Sequence, residues 1–441
     1  MATHDIPDSP PNGFGFETRM VHAGTPPEPI TGARAMPIYQ STSYVFHDTD
    51  HAASLFNLQS FGFIYSRLTN PTVAALEERI ASLENGRGST CCASGHAAQI
   101  LALFPLMSPG DDFVASTRLY GGSITQFGKT FQKFDWRVSF IDIDDSAAVE
   151  AAIGPRTKAI FCESLANPGG VVSDLERLAN IAHTAGIPLI VDNTMATPYL
   201  CQPIAWGADI VVHSMTKFLG GHGLAVGGAV VDSGHFDWSQ NKRFPALSEP
   251  EPAYHGLCFA ETFGDMALTM YGHAVGLRDL GATLSPQNAF LILTGMETLT
   301  LRMQRQCENA HAVAAWLEEH PEVAWVSYAG LENSPYYRLR SKYLGPGAGA
   351  VFTFGVKGGY EMGLAVVEAC QLISHLANIG DVRTLILHPA STTHRQLTDE
   401  QRAAAGAGPE VIRLSIGLET LDDIFADLRQ ALETAARTTA Y

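Results

Sequence analysis

A lysine flanked by hydroxyls, Ser214-Met215-Thr216-Lys217, follows the apolar run Ile210-Val211-Val212-His213 and precedes Gly220-Gly221-His222-Gly223. At the mouth of a buried strand a lysine loses hydration. Its pKa falls, and the neutral amine becomes free to form a Schiff base with an aldehyde. Asp192 closes another apolar run upstream, Pro188-Leu189-Ile190-Val191. An amine and a carboxylate at the ends of neighbouring strands suit pyridoxal 5'-phosphate, which needs a covalent anchor and a partner for its ring nitrogen. Lys217 and Asp192 are therefore the candidate catalytic pair, with that cofactor expected between them. Taken singly, they read as a surface lysine and a capping aspartate.

Other residues could complete such a site. Ser94-Gly95-His96 follows a strand and opens a helix, where backbone N–H groups can face a phosphate. Ser214 and Thr216 offer hydroxyls for the same phosphate. Arg67, in Tyr65-Ser66-Arg67, has the planar fork that grips phosphate. Tyr120, before Gly121-Gly122, can stack on a cofactor ring, although a core tyrosine is the commoner outcome. Asn167 either touches the ring hydroxyl or makes a turn. Arg413 interrupts the apolar run Val411-Ile412-Arg413-Leu414-Ser415, and a charge there needs a partner. The substrate's α-carboxylate and a structural ion pair are both open readings.

The chemistry excluded is as informative. The sixteen histidines contain no H-E-x-x-H, and no metal is expected. No G-x-G-x-x-G occurs, which disfavours a nicotinamide oxidoreductase.

These residues must be held by strands and helices. Short apolar runs at 89–93, 112–115, 137–141, 159–163, 189–192, 210–213 and 226–231 alternate with helical patterns such as 174–185. That rhythm predicts an α/β fold with one large, doubly wound, mostly parallel seven-stranded sheet. Asn70-Pro71-Thr72 opens a helix that stops at Asn85-Gly86. A strand is expected near 40–46. Toward the C-terminus, two helices at 285–293 and 297–319, strands at 351–356 and 412–416, and a closing helix at 421–437 predict a smaller α+β domain. Thr398-Asp399-Glu400-Gln401 has capping-box spacing. The domains expected are an N-terminal segment, 1–66, with little order in its first fifteen or so residues; a cofactor-binding domain, 67–290; and a C-terminal domain, 291–441.

Bulk properties narrow the partners. Lys and Arg total 28 against 45 Asp and Glu, a net charge of −17, which argues against nucleic acid or an anionic membrane. Seven scattered cysteines without C-x-x-C, no secretory pattern and no membrane-spanning run read as a reduced, cytoplasmic enzyme acting on small molecules.

At these residues the chain resembles the Cys/Met-metabolism family of pyridoxal-phosphate enzymes. The resemblance runs from about 22 to 432 and is carried by YSRLTNPT (65–72), DNTMATPYLCQPIAWGADIVVHSMTKFLGGHG (192–223), HPASTTH (388–394) and IRLSIGLE (412–419). Within the family, VHAGTPPEPITGARAMPIYQSTSYVF, the insertion RFPALSEPEPAYHG (243–256) and LRDLGATLSPQNAFLILTGMETLTLRM (277–303) look most like the O-acetylhomoserine sulfhydrylase subgroup.

The resemblance implies fold type I and a homotetramer with active sites shared across a dimer. It makes Tyr65 and Arg67 ligands of the neighbouring subunit's cofactor phosphate, with Tyr65 also near the substrate. Gly95, His96, Ser214 and Thr216 form the rest of that cup. It assigns ring stacking to Tyr120, the ring nitrogen to Asp192 and the α-carboxylate to Arg413. Two positions depart from relatives. Gly122 stands where lyases carry a reactive cysteine. Asn378 stands where many relatives have serine, and its amide is a candidate contact for the substrate carboxylate. The implied reaction is γ-replacement, turning O-acetyl-L-homoserine and sulfide, free or from a sulfur-carrier protein, into L-homocysteine and acetate. The alternatives are methanethiol as acceptor, another homoserine ester (O-succinylhomoserine sulfhydrylase, cystathionine γ-synthase), and methionine γ-lyase.

Overall fold

The computed structural model describes residues 13–167, 170–239, 242–393, 395 and 406–439. The expected capping box at 398–401 lies outside them. The seven apolar runs form one sheet from β1 (Gly88–Cys92), β2 (Asp112–Ser116), β3 (Arg137–Ile141), β4 (Thr157–Glu163), β5 (Leu189–Asp192), β6 (Ile210–Ser214) and β7 (Gly228–Asp232). Their spatial order is β1-β7-β6-β5-β4-β2-β3. From β6 through β5, β4 and β2 to β3 all neighbours are parallel, while β7 runs antiparallel to both β6 and β1. The mostly parallel α/β sheet is thus as expected. Every residue of β4 is buried, as a strand in the middle of a covered sheet must be, which is why it reads as an unbroken apolar run.

This topology decides where chemistry can occur. β1 and β6 both oppose β7, so β1 shares the direction of the parallel strands. The C-terminal ends of β1, β2, β4, β5 and β6 all open on one edge of the sheet, where α/β sheets place their ligands.

A second sheet is built from β8 (Val323–Ser327), β9 (Val351–Val356), β10 (Ser374–His375), β11 (Leu385–Leu387) and β12 (Val411–Ser415), in the order β10-β11-β12-β9-β8. Only β10 and β11 pair in parallel. The helices Gly359–Ala369 and Leu421–Thr439 pack together beside it. Asp427 on the latter accepts N–H bonds from Gln371, Leu372 and Ile373, each at 2.9 Å, fixing the approach to β10.

Residue 290 falls inside the helix Pro286–Met296. Gly295 on that helix lies so close to the loop after Lys217 that an added Cβ would sit 2.1 Å from the Gly220 carbonyl oxygen. The strand expected near 40–46 does not form. Ser43 makes a single antiparallel bridge to Tyr65, and Val45 is 97% exposed, so nothing extends the ladder on either side. Asn70 instead fastens this segment. Its Oδ1 caps the helix Pro71–Glu84 at Thr72 N, 3.0 Å, and its Nδ2 reaches the Tyr39 carbonyl, the Tyr44 hydroxyl and the Ser66 hydroxyl. Among the described residues, no helix is long and apolar enough to cross a membrane.

Candidate active site

A cavity of about 250 Å³ lies on the C-terminal edge of the large sheet. Ser94, Gly95, His96, Tyr120, Asn167, Asp192, Ser214, Thr216, Lys217, Asn378 and Arg413 all line it. A wider groove of about 840 Å³ lies between the N-terminal segment and the helix Pro71–Glu84, but it contains no lysine.

The loops after five strands deliver these groups. After β1, Ser94 accepts the Ala97 N–H at 3.1 Å and caps the helix Gly95–Leu103. The first-turn N–H groups of Gly95 and His96 have no intrahelical acceptor, as at any helix start. A Cβ on Gly95 would lie 2.7 Å from Ser214 Cβ, so only glycine lets this helix approach the Lys217 strand. After β2, Tyr120 places its ring 5.9 Å from that of His96. A side chain at Gly122 would put its Cβ 2.4 Å from the Tyr120 ring. After β6, Thr216 bonds the Gly227 N–H at 3.1 Å, tying the lysine turn to the start of β7.

Lys217 and Arg413 meet through Asn378. Lys217 Nζ donates to Asn378 Oδ1 at 2.6 Å, and Arg413 Nη2 donates to the Asn378 carbonyl at 3.3 Å. Arg413 Nη1 also reaches Asn167 Oδ1 at 3.4 Å. No carboxylate pairs with Arg413 among the described residues, so of its two sequence readings the structural ion pair is not what the geometry contains. Burial, and then the Arg413 charge, hold the Lys217 amine down at about 8. Burial likewise lowers Arg413 to about 10. Arg413 remains a cation without a carboxylate partner among the described residues, which makes the cavity receptive to an anion, while the lowered pKa of Lys217 leaves a fraction of its amine neutral near physiological pH.

Asp192, at the end of β5, also lines the cavity, and its Oδ1 accepts the Thr194 N–H at 3.0 Å. Burial pushes its carboxyl up, while the Thr194 bonds and nearby His213 pull it down. Behind it His213 Nε2 lies 2.6 Å from Glu84 Oε1, both side chains fully buried.

Glu163 also lines the cavity and is not among the sequence-derived candidates. It ends β4 after Phe161-Cys162, an acid closing an apolar run. The same signal singles out Asp192 on β5, so the clue was present in the sequence.

Tyr65 and Arg67 are the exception. Neither lines the Lys217 cavity. Arg67 lies over the Tyr65 ring at 5.5 Å and donates to the Arg278 carbonyl, and Tyr65 is 41% exposed. Within one chain they stand apart from the other candidates.

The fold and the cavity belong to a pyridoxal-phosphate-dependent enzyme. The sequence profile of the family described as Cys/Met metabolism PLP-dependent enzyme matches residues 17–433, and the chain belongs to that family. It is 49% identical to a homocysteine synthase of Schizosaccharomyces pombe, over 95% of this chain and 98% of that one. It is 49% identical to O-acetyl-L-homoserine sulfhydrylase 1 of Thermus thermophilus, over 95% and 99%. Among solved structures, an O-acetylhomoserine (thiol)-lyase from Campylobacter jejuni carrying N'-pyridoxyl-lysine-5'-monophosphate superposes with a TM-score of 0.93, at 41% identity over 95% of this chain and 100% of that one.

Proposed function

We propose that this chain catalyses γ-replacement on O-acetyl-L-homoserine, exchanging acetate for sulfide to yield L-homocysteine for methionine biosynthesis. The observation that carries this reading is the Lys217–Asn378–Arg413 array, with an amine and a guanidinium sharing one small cavity with Asp192. The relatives' names supply the substrate.

The donor set fits pyridoxal phosphate. Lys217 offers the amine for its aldehyde and Asp192 a carboxylate for its ring nitrogen. Asn167 would be available to its ring hydroxyl and Tyr120 to stack on its ring. Ser214, Thr216 and the N–H groups of Gly95 and His96 supply donors for its phosphate. When bound, the cofactor withdraws electrons from the substrate's α-carbon.

The rest falls to the protein. The Arg413 fork receives the α-carboxylate, with Asn378 beside it, and so aims the Cα–H bond at Lys217 Nζ. With a pKa near 8, Lys217 takes the Cα proton and returns it as general base and acid. Tyr120 assists departure of acetate from Cγ. Tyr65 and Arg67 face a second subunit's cavity within a homotetramer, completing the phosphate cup there, with Tyr65 also at its substrate. We place the domain division at 1–66, 67–290 and 291–441, the last boundary falling within the helix Pro286–Met296, and the enzyme in the cytoplasm. Sulfide arrives free or on a carrier protein.

The test is product analysis of purified enzyme with O-acetyl-L-homoserine, with and without sulfide. Homocysteine and acetate are expected only with sulfide. Ammonia and 2-oxobutyrate at comparable rates without sulfide would identify a lyase. Faster turnover of succinyl or phosphoryl esters, or of methanethiol, would change the substrate assignment. Lys217→Ala should remain folded, with turnover reduced by several orders of magnitude (roughly 10³ or more). Near-normal homocysteine formation would sink the assignment.

A further inference from the structure

Glu163 ends β4 beside Asp192 of β5, the two residues being direct partners in the parallel register. It is 4% exposed, and among the described residues no cation pairs with it. Instead each carboxylate oxygen accepts a backbone N–H: Oε1 from Tyr120 at 2.6 Å, Oε2 from Asn167 at 2.9 Å. Tyr120 belongs to the loop after β2 and Asn167 to the loop after β4, so one side chain ties together two walls of the cavity. Burial and the neighbouring Asp192 charge both push the Glu163 carboxyl up, against the pull of its two N–H donors. A buried acid held like this is costly, and an apolar residue would fill the space without that cost.

We propose that Glu163 is a positioning residue with an electrostatic role. Its carboxyl sets the main chain of Tyr120 and Asn167 relative to Asp192, and it would give up its proton and act as a second negative charge beside Asp192 only once a cationic cofactor ring occupies the cavity. This rests on the reading of the cavity as the cofactor site. The charged and titratable groups around Glu163 are Asp192 on β5, Cys162 next to it on β4, His213 on β6, His96 on the helix Gly95–Leu103, Tyr120 itself, and Lys217 and Arg413 across the cavity. Only Asp192 shares its strand-end register, so the two acids act together on the ring.

Two variants separate geometry from charge. Glu163→Gln keeps the length but removes the charge and turns an amide NH₂ toward one of the two N–H donors. Glu163→Asp keeps the charge but is one methylene too short to span both loops. The cofactor-loaded enzymes are compared by thermal melting, cofactor dissociation constant, and titration of the bound cofactor's visible absorption band with pH. Glu163→Gln should melt cooperatively and bind pyridoxal phosphate weaker by about tenfold or more. Its band should titrate at lower pH, because a cationic form loses a stabilising anion. Glu163→Asp should hold the band's midpoint near the wild-type value while kcat falls more than KM rises. Wild-type cofactor affinity and an unmoved midpoint in Glu163→Gln would overturn the proposal. Failure of both variants to fold would also overturn it, in favour of a purely structural role. Borohydride trapping in the wild type keeps the underlying reading separate. If no label is fixed on Lys217, the cofactor site itself is wrong, whatever Glu163 does.

Discussion

Lys217 is a cation held where a cation is disfavoured. Burial and Arg413 bring its amine down to about 8 from the ordinary 10.5, so the neutral, nucleophilic form accumulates as pH rises through 8. In cofactor-free protein the rate of pyridoxal-phosphate attachment should therefore rise with pH, with a midpoint near 8. Stopped-flow absorbance measures it, and a midpoint above 10 would contradict the buried amine. The same shift has a stability consequence. Between about pH 8 and 10.5 the unfolded chain binds the proton that folded Lys217 has already lost, so cofactor-free stability should increase with pH across that window. Arg413 invites a second test. Its two terminal nitrogens reach different carbonyl groups, Asn167 and Asn378, and a lysine cannot reproduce that fork. Arg413→Lys should raise KM for the amino-acid substrate about ten- to a hundredfold, the worth of a charge-assisted hydrogen bond. Steady-state kinetics would show it, with the protein's melting little changed.

At the scale of elements, the lysine turn depends on a helix outside the large sheet. Arg302, 4% exposed on the helix Leu299–Glu318, donates to the carbonyls of Phe218 and Gly295 at 2.7 Å each and of Leu219 at 3.3 Å. It has only neutral acceptors, and burial lowers it to about 10. Removing it strands several buried carbonyls beside Lys217. Arg302→Leu should cost about 2–4 kcal/mol, read from the urea midpoint, and should lower kcat as well because the lysine turn loosens.

For the whole molecule, the separation of Tyr65 and Arg67 from the Lys217 cavity of their own chain is the decisive feature. If active sites are shared between two copies, a Lys217→Ala chain and an Arg67→Ala chain are each inactive alone but complement one another. Co-refolded in equal amounts, half the dimers are mixed, and each mixed dimer has one intact site. Roughly a quarter of wild-type activity should return. Activity no greater than that of the separate variants would rule out sites shared between copies.

Much of this was legible in the sequence. Apolar runs bounded by turns marked all seven strands of the large sheet, because strands covered on both faces carry their burial in composition. Lys217, Asp192 and Arg413 stood out as charges at the ends or middle of such runs. The two- and three-residue strands β10 and β11 left no periodic trace, and β8 was masked by its half-exposed tryptophan, Trp325. Tertiary structure alone decided which atoms meet. Lys217 and Asn378 are 161 positions apart, and Glu163 binds main-chain N–H groups that any residue could have offered. Burial in a run needs only local composition, so the sequence could specify the chemical groups. A hydrogen bond between distant loops depends on strand order and direction, so the fold had to assemble the site around Lys217.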